Sequence, residues 1–327
     1  MTIAIFLGSL LAAMALGIPI AFSLLLCGAA LMWHMNMFDA QILAQNLIEG
    51  SNSFPLLAVP FFMLAGEVMN AGGLSRRIVN FAMALVGHVK GGLGYVTIVA
   101  AVIMASLSGS AVADAAALTA LLLPMMVAAG HDKARSAGLI ASAGIIAPII
   151  PPSMPFVIYG VTTNTSISAL FVSGIVPGLM MGAGLIFAWR WVLRGMDLPQ
   201  GQPLPMKDRL RATARAFWAM LMPIIIIGGM KTGVFTPTEA AVVAAFYALM
   251  VALFIHREMR VPEIYGVLLR AAKTTSIVMF LCAGAQVASY MITLADLPNV
   301  LTAWLGPLVE SPRLLMAVMM IVLVMIG

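Results

Sequence analysis

At 327 residues, 62% hydrophobic and 9% charged, with a mean hydropathy of +1.08, the chain lies outside the range of soluble domains. Its formal charge of +5 comes from lysines and arginines in inter-helix segments, the pattern the positive-inside rule produces, so the basic balance is no sign of a nucleic-acid partner. Cys27 and Cys282 both sit in apolar runs and read as buried free thiols, and the 27 methionines read as gap-filling core residues.

Residues 1–38 and 136–189 carry no charged side chain, and each run exceeds the roughly 20 apolar residues that span a bilayer. The expected fold class is an all-α polytopic membrane protein, since a β-barrel would show short alternating segments instead. The start has no basic leader and no small-residue cleavage site, so residues 3–33 are expected as one retained span and not a signal peptide. Residues 34–53 are polar enough for a connection with an amphipathic helix. Pro55 to Arg77 holds a short apolar helix with an interior Glu67, then a break at Asn70–Gly73. Glu67 reads as a proton or cation site or, preferably, as the partner of a neighbouring segment or polar helix end. Residues 75–89 are amphipathic, and Gly91–Gly94 punctuate.

Residues 95–107 then enter the membrane and reach Ser106, Ser108, Gly109, Ser110 and Asp114; Leu118–Met126 leaves, ending at Pro124 and the polar turn Gly130–Arg135. A descent and return within about 35 residues is the length of a re-entrant helical hairpin, not of two full spans. Residues 136–147 run back in and break at Pro148, Pro151, Pro152 and Pro155. Proline removes backbone donors, and non-helical backbone at membrane depth survives only against protein or a wet cavity. Two broken elements are therefore expected to face each other, with hydroxyls and freed carbonyls between them. Thr162 to Ser166 follow, then a long span over 168–193.

Residues 194–215 are proline-rich, with Arg190, Arg194, Lys207, Arg209, Arg211 and Arg215 around them, and read as a cytoplasmic linker. Spans are expected at 216–230 and 238–255, joined by KTGVFTPTE, in which Thr236 reads as a helix cap with Glu239 in the first turn. A long helix over 264–292, a break at Asp296–Pro298 and a further apolar stretch from Pro312 complete the chain. Phe62 to Gly66 resembles Phe280 to Gly284, and Gly66 stands as far from Gly109 as Gly284 from Gly327. Repeated halves with broken helices in matching places mark secondary transporters. The expected organisation is an N-terminal repeat (1–195; scaffold helices, first hairpin and unwound helix), a cytoplasmic linker (196–214) and a C-terminal repeat (215–327). That second repeat stops before its own hairpin, so a C-terminally truncated chain, unable to transport by itself, is expected.

The stretches PLLAVPFFMLAGEVMNAGG, GHVKGGLG, SLSGSAVADAAAL, IIAPIIPPSMPFVIYG and GVFTPTEAAVVAAFYAL together resemble the large membrane subunit of TRAP transporters (tripartite ATP-independent periplasmic transporters, DctM-like), over nearly all of the sequence. The resemblance implies an elevator-type transporter of inverted repeats with two re-entrant hairpins, only the first being present in this chain. It implies a multi-pass protein of the bacterial inner membrane that imports a small organic anion, a carboxylate or sugar acid, with 2,3-diketo-L-gulonate favoured by overall likeness. Sodium would be the coupling ion, with no other cofactor. The implied partners are a small four-helix membrane subunit, a periplasmic substrate-binding protein and the lipid bilayer. Carried onto matching positions, the sodium ligands would be the hydroxyls of Ser108 and Ser110 and the backbone carbonyls around Ala147, Ile150 and Pro152; the family often has glycine where this chain has Ala147. Asp114, Ser153, Thr163 and Asn164 are the matching candidates on the substrate side.

Each residue also has a plainer reading. Ser-Gly-Ser serves close helix packing in many membrane helices, and Pro151–Pro152 could simply kink one. Asp114 is costly near mid-membrane unless it has a partner, so a function is the default there. Thr163 and Asn164 either line a substrate path or cap the next helix. His34, His88, His131 and His256 have no partner at metal-ligand spacing. The sequence shows no nucleophile triad, HExxH or paired carboxylates for an enzyme, and no Walker loop for an ATP-driven pump. A passive channel, or a relative of the same elevator class working without a binding protein, is the remaining alternative.

Overall fold

The computed structural model describes residues 2–194, 201–300, 302–303 and 311–326, and every regular element among them is helical. Contacts divide the chain into two units, Met1–Asn52 with Ile277–Gly327, and Ser53–Ser276.

In the first unit the expected single span over 3–33 is instead two short helices, α1 (Thr2–Ala15) and α2 (Ile20–His34). Ile5 and Phe6 at the start of α1 pack on Leu31 and Met32 at the end of α2, so the pair folds back on itself. Gly17 in the left-handed region (φ 78) and Pro19 at the cap of α2 make the turn. A 14-residue helix is about 21 Å long and cannot cross a hydrocarbon core of about 30 Å. The amphipathic helix expected after it is α3 (Ala40–Ser51), capped by Asp39, whose carboxylate accepts from the Gln41 N–H at 2.7 Å. Close approach fixes the partner of this segment: a Cβ on Gly50 would stand 2.9 Å from the Ala283 Cα of helix α13 (Glu263–Leu294). The last helix is α14 (Pro312–Ile326). Gly327, the repeat counterpart of Gly109, lies outside the described residues.

The second unit holds α4 (Ala58–Ala71, entered through a 3-10 turn at Phe54–Leu57), α5 (Leu74–Val86), α6 (Gly92–Ser108), α7 (Ala111–Ala128), α8 (Lys133–Gly144), α9 (Met154–Thr162), α10 (Ile167–Val192), α11 (Met206–Lys231) and α12 (Pro237–Met250), the last continued by a π turn to Ile255. Six of the described helical segments are long and apolar enough to cross a membrane, which makes this a multi-pass membrane protein. α12 lies along α4; its buried face is Ala240, Ala241, Ala244, Ala245 and Ala248, small residues that let two helices approach closely. It opens with the expected capping box, Thr236 and Glu239 each bonding the other's backbone N–H. Glu67 is paired with Arg270 at 2.9 Å, the plainer of its two readings.

Two boundaries differ from expectation. Residues 206–215, assigned to the linker, are the opening turns of α11: past Pro205 they are mostly Met, Lys, Arg, Leu and Ala, good helix formers with no Gly or Pro among them, and Asp208 stands in the first turn, where an acid is favourable. Pro124 does not end α7, which continues to Ala128; a single proline removes one backbone donor, and neighbouring helices re-satisfy the freed group in a membrane bundle.

Candidate ion site at the hairpin tip

Ser108 ends α6, and Ser110 opens α7 as an extended N-cap. Between them Gly109 takes the left-handed conformation (φ 60), which a side chain disfavours and glycine does not. The two helices run back along each other: Thr97 in α6 hydrogen-bonds the Met126 sulfur at the far end of α7. The sequence reading therefore found the break at its true position.

At the tip the Ser108 hydroxyl donates to Asp114 Oδ1 at 2.5 Å and accepts from the Ser110 N–H at 3.2 Å. The Ser110 hydroxyl accepts from the Ala113 N–H at 3.4 Å. Asp114 is 1% exposed, and its Oδ2 has no hydrogen-bond partner among the described residues. A buried carboxylate oxygen left without a partner is costly. The Ser108–Asp114 pair spans the helix break, so the helical spacing of either segment could not have revealed it.

The second broken element comes against this tip. After α8 the backbone turns irregularly through Ile145–Pro152 and restarts as α9, capped by the Ser153 hydroxyl accepting from the Phe156 N–H. A Cβ built on Gly109 would collide with the Pro152 carbonyl oxygen, and one on Gly144 would touch Ala115 and the Ala111 carbonyl. Ala147 and Ile150 share a buried cluster with Ala105, one turn before Ser108. Ser108, Gly109 and Pro152 are thus part of one small region, with Ser153 at its edge.

Proline chemistry sets which carbonyls are bare. In a continuous helix the Ala147 carbonyl would accept from residue 151, but Pro151 has no N–H. The Pro148 carbonyl loses residue 152 in the same way and is taken by the Ser153 hydroxyl instead. Among the described residues the carbonyls of Ala147, Ile150 and Pro152 accept no hydrogen bond, and neither do those of Ile145, Ile149 and Pro151. Most buried carbonyls are paired, so a run of bare ones over one irregular stretch is a chemical feature and not a set of loose ends. The donor set, all oxygen and partly anionic, suits a hard monovalent or divalent cation.

Thr163 and Asn164 are elsewhere. They lie past the far end of α9, roughly 14 Å from Ser153 by helix rise. The Thr163 hydroxyl donates within its own turn, to Tyr159, and Asn164 is a left-handed residue (φ 53) closing the helix. The cap of the next helix is Ser166, accepting from the Ala169 N–H. Asn164 does line a separate cleft of about 600 Å³ with Thr165, Ser166 and Thr236.

The sequence reading missed the seat beneath the unwound turn. Gly174 and Gly178 of α10 lie directly under it: a Cβ on the first would collide with the Ile149 carbonyl, and on the second with the Ile150 side chain. Two glycines one helical turn apart were the visible signal.

The chain is 58% identical over 327 residues to a 2,3-diketo-L-gulonate TRAP transporter large permease of Escherichia coli, covering all of this chain and 77% of that protein. It is 39% identical over 305 residues to a C4-dicarboxylate TRAP transporter large permease of Pseudomonas aeruginosa, covering 93% of the chain and 71% of the relative. A sialic acid TRAP transporter large permease of Vibrio cholerae is 37% identical over 314 residues, covering 95% and 73%. Residues 7–327 match the family described as the tripartite ATP-independent periplasmic transporter, DctM component, and the chain belongs to that family of transporter permeases, which are not enzymes.

Proposed function

We propose that the chain is the large transmembrane subunit of a sodium-coupled importer of a small organic anion, acting in the inner membrane with a small four-helix subunit and a periplasmic binding protein. The coupling ion would sit between the hairpin tip and the unwound turn. The observation that carries this reading is the run of bare carbonyls that includes Ala147, Ile150 and Pro152, of which Pro152 reaches Gly109 between Ser108 and Ser110. Sodium is a hard cation, and such oxygens replace its water shell. Asp114 belongs on the ion side of this arrangement: its carboxylate hangs on Ser108 and would repel an anion. The helix starts support a place for the anion beside the ion site. α7 and α9 both begin at this region, at Ser110 and Ser153, and their free N–H groups and positive dipole ends suit a carboxylate. The relatives are named for diketogulonate, C4-dicarboxylate and sialic acid, all carboxylates, which supports that substrate class.

The test is uptake by the complete complex in proteoliposomes. Accumulation should require both an inward sodium gradient and the soluble binding protein; flux needing neither would point to a channel and overturn the reading. Ser110→Ala removes one ligand to a cation, worth on the order of 1–3 kcal/mol, and should raise the sodium concentration for half-maximal uptake about tenfold; loss of the cap bond to Ala113 should lower the melting temperature by a few degrees without unfolding the protein. Unchanged sodium dependence would remove Ser110 from the site.

A further inference from the structure

We propose that the basic end of the bundle carries a binding site for one anionic phospholipid, between α8 and the end of α10. An open groove of about 650 Å³ runs there, lined by Arg135, Leu139, Leu185, Ala188, Trp191 and Arg194. Its two ends differ in chemistry. At the rim the guanidinium of Arg194 lies over the exposed Trp191 ring, 5.1 Å from its centroid, and among the described residues it has no carboxylate partner. Arg135 stands at the same rim from the first turn of α8. Below the rim the walls are aliphatic. Both arginines are exposed and line the one groove above these walls, a placement that suits a phosphate headgroup over acyl chains.

The position fits. Trp189, beside the groove, is stacked on His131 and donates to the Gly91 carbonyl at 3.1 Å. That ties the loop carrying Lys90, the turn carrying Lys133 and the end of α10 carrying Arg190 into one basic rim. Tryptophans with arginines at a helix end mark the membrane–water interface, and basic pockets between helices on the cytoplasmic side take anionic headgroups. Arginine's fork matches a phosphodiester bidentately. A soluble phosphate would gain nothing from the aliphatic walls, whereas a phospholipid uses both ends.

The complex is purified in detergent, incubated with phosphatidylglycerol, phosphatidylcholine or inorganic phosphate, delipidated in steps and weighed intact by native mass spectrometry. Wild type should retain one phosphatidylglycerol after phosphatidylcholine is lost. R135Q/R194Q should retain it roughly tenfold less well, two nearby basic charges being lost. A188W, which fills the groove and keeps both arginines, should also lose the lipid, and K231Q, on a different helix, should not. The proposal fails if both lipids are held equally, if K231Q acts like the double variant, if inorganic phosphate displaces the lipid, or if the groove variants have no effect because the small subunit covers this face. Sodium dependence of uptake is read in parallel and is independent of the outcome, so this result and the ion-site result can fail separately.

Discussion

Gly109 shows what a single position can carry. Its φ of 60 costs another residue roughly 1–2 kcal/mol, and any Cβ would meet the Pro152 carbonyl, one of the bare oxygens. Gly109→Ala should therefore push the unwound turn off the tip: uptake should lose its sodium dependence at physiological concentration, and the melting temperature should fall by several degrees. A variant with wild-type sodium response would show that the two elements need not touch. Residues of this kind were legible because their chemistry is out of place in an apolar chain, as with Ser-Gly-Ser and Pro-Pro. Partnerships across a break were not legible. Asp114 reaches Ser108, and His131 stacks on Trp189 at 5.8 Å, only because the chain folds back. Burial holds the His131 imidazole below its ordinary pKa, and His256 is lowered too, by burial and then by the nearby Arg77 charge. Both groups favour the neutral form when folded, so their contribution is complete above the unfolded pKa of about 6.5 and is lost as pH falls through and below it. Melting temperature in detergent should drop from pH 7 to pH 5. His131→Phe, which keeps a ring on Trp189, should drop less steeply, with a residual slope from His256; an unaltered slope would exclude His131 as a contributor.

Among the helices, apolar length was a good guide to existence and a poor one to division. Residues 3–33 and residues 168–193 read alike by composition. One folds into a hairpin and the other into the 26-residue α10. The difference lies in Gly17 and Pro19 acting together, since Pro124 and Pro177, each without a left-handed glycine nearby, stay inside continuous helices. α10 in turn explains why the unwound turn keeps its shape. Gly174 and Gly178 offer it a flat floor, and a side chain there would have to displace backbone or Ile150. Gly178→Val should destabilise by about 1–3 kcal/mol, as overpacking does, and should weaken sodium coupling with it. Gly184→Ala, on the same helix with open space around it, should be neutral or slightly stabilising. Equal effects at the two positions, by thermal melting of the complex, would mean that the floor plays no part.

For the whole molecule the question is sidedness, which charge alone addresses. With α10, α11 and α12 as spans, Arg190, Arg194, Lys207, Arg209, Arg211 and the 257–260 segment should share one membrane face, and the 232–236 turn should lie at the other. The rim of Lys90, Lys133 and Arg194 joins the first face through Trp189, which bonds the Gly91 carbonyl. Lysine and arginine in short loops are retained on the cytoplasmic side, so the first face should be cytoplasmic. The sequence showed the basic residues around the linker and at Arg257 and Arg260, because charge is counted without knowing any packing; the Lys90 and Lys133 rim joins them only through the packing of Trp189. Cysteine labelling is a clean test because both native thiols are buried. In intact spheroplasts a membrane-impermeant maleimide should modify Val234→Cys, since Val234 is 66% exposed, and should leave Gly201→Cys untouched. Opening the membrane should make Gly201→Cys reactive as well. Labelling of Gly201→Cys in intact cells would invert the topology.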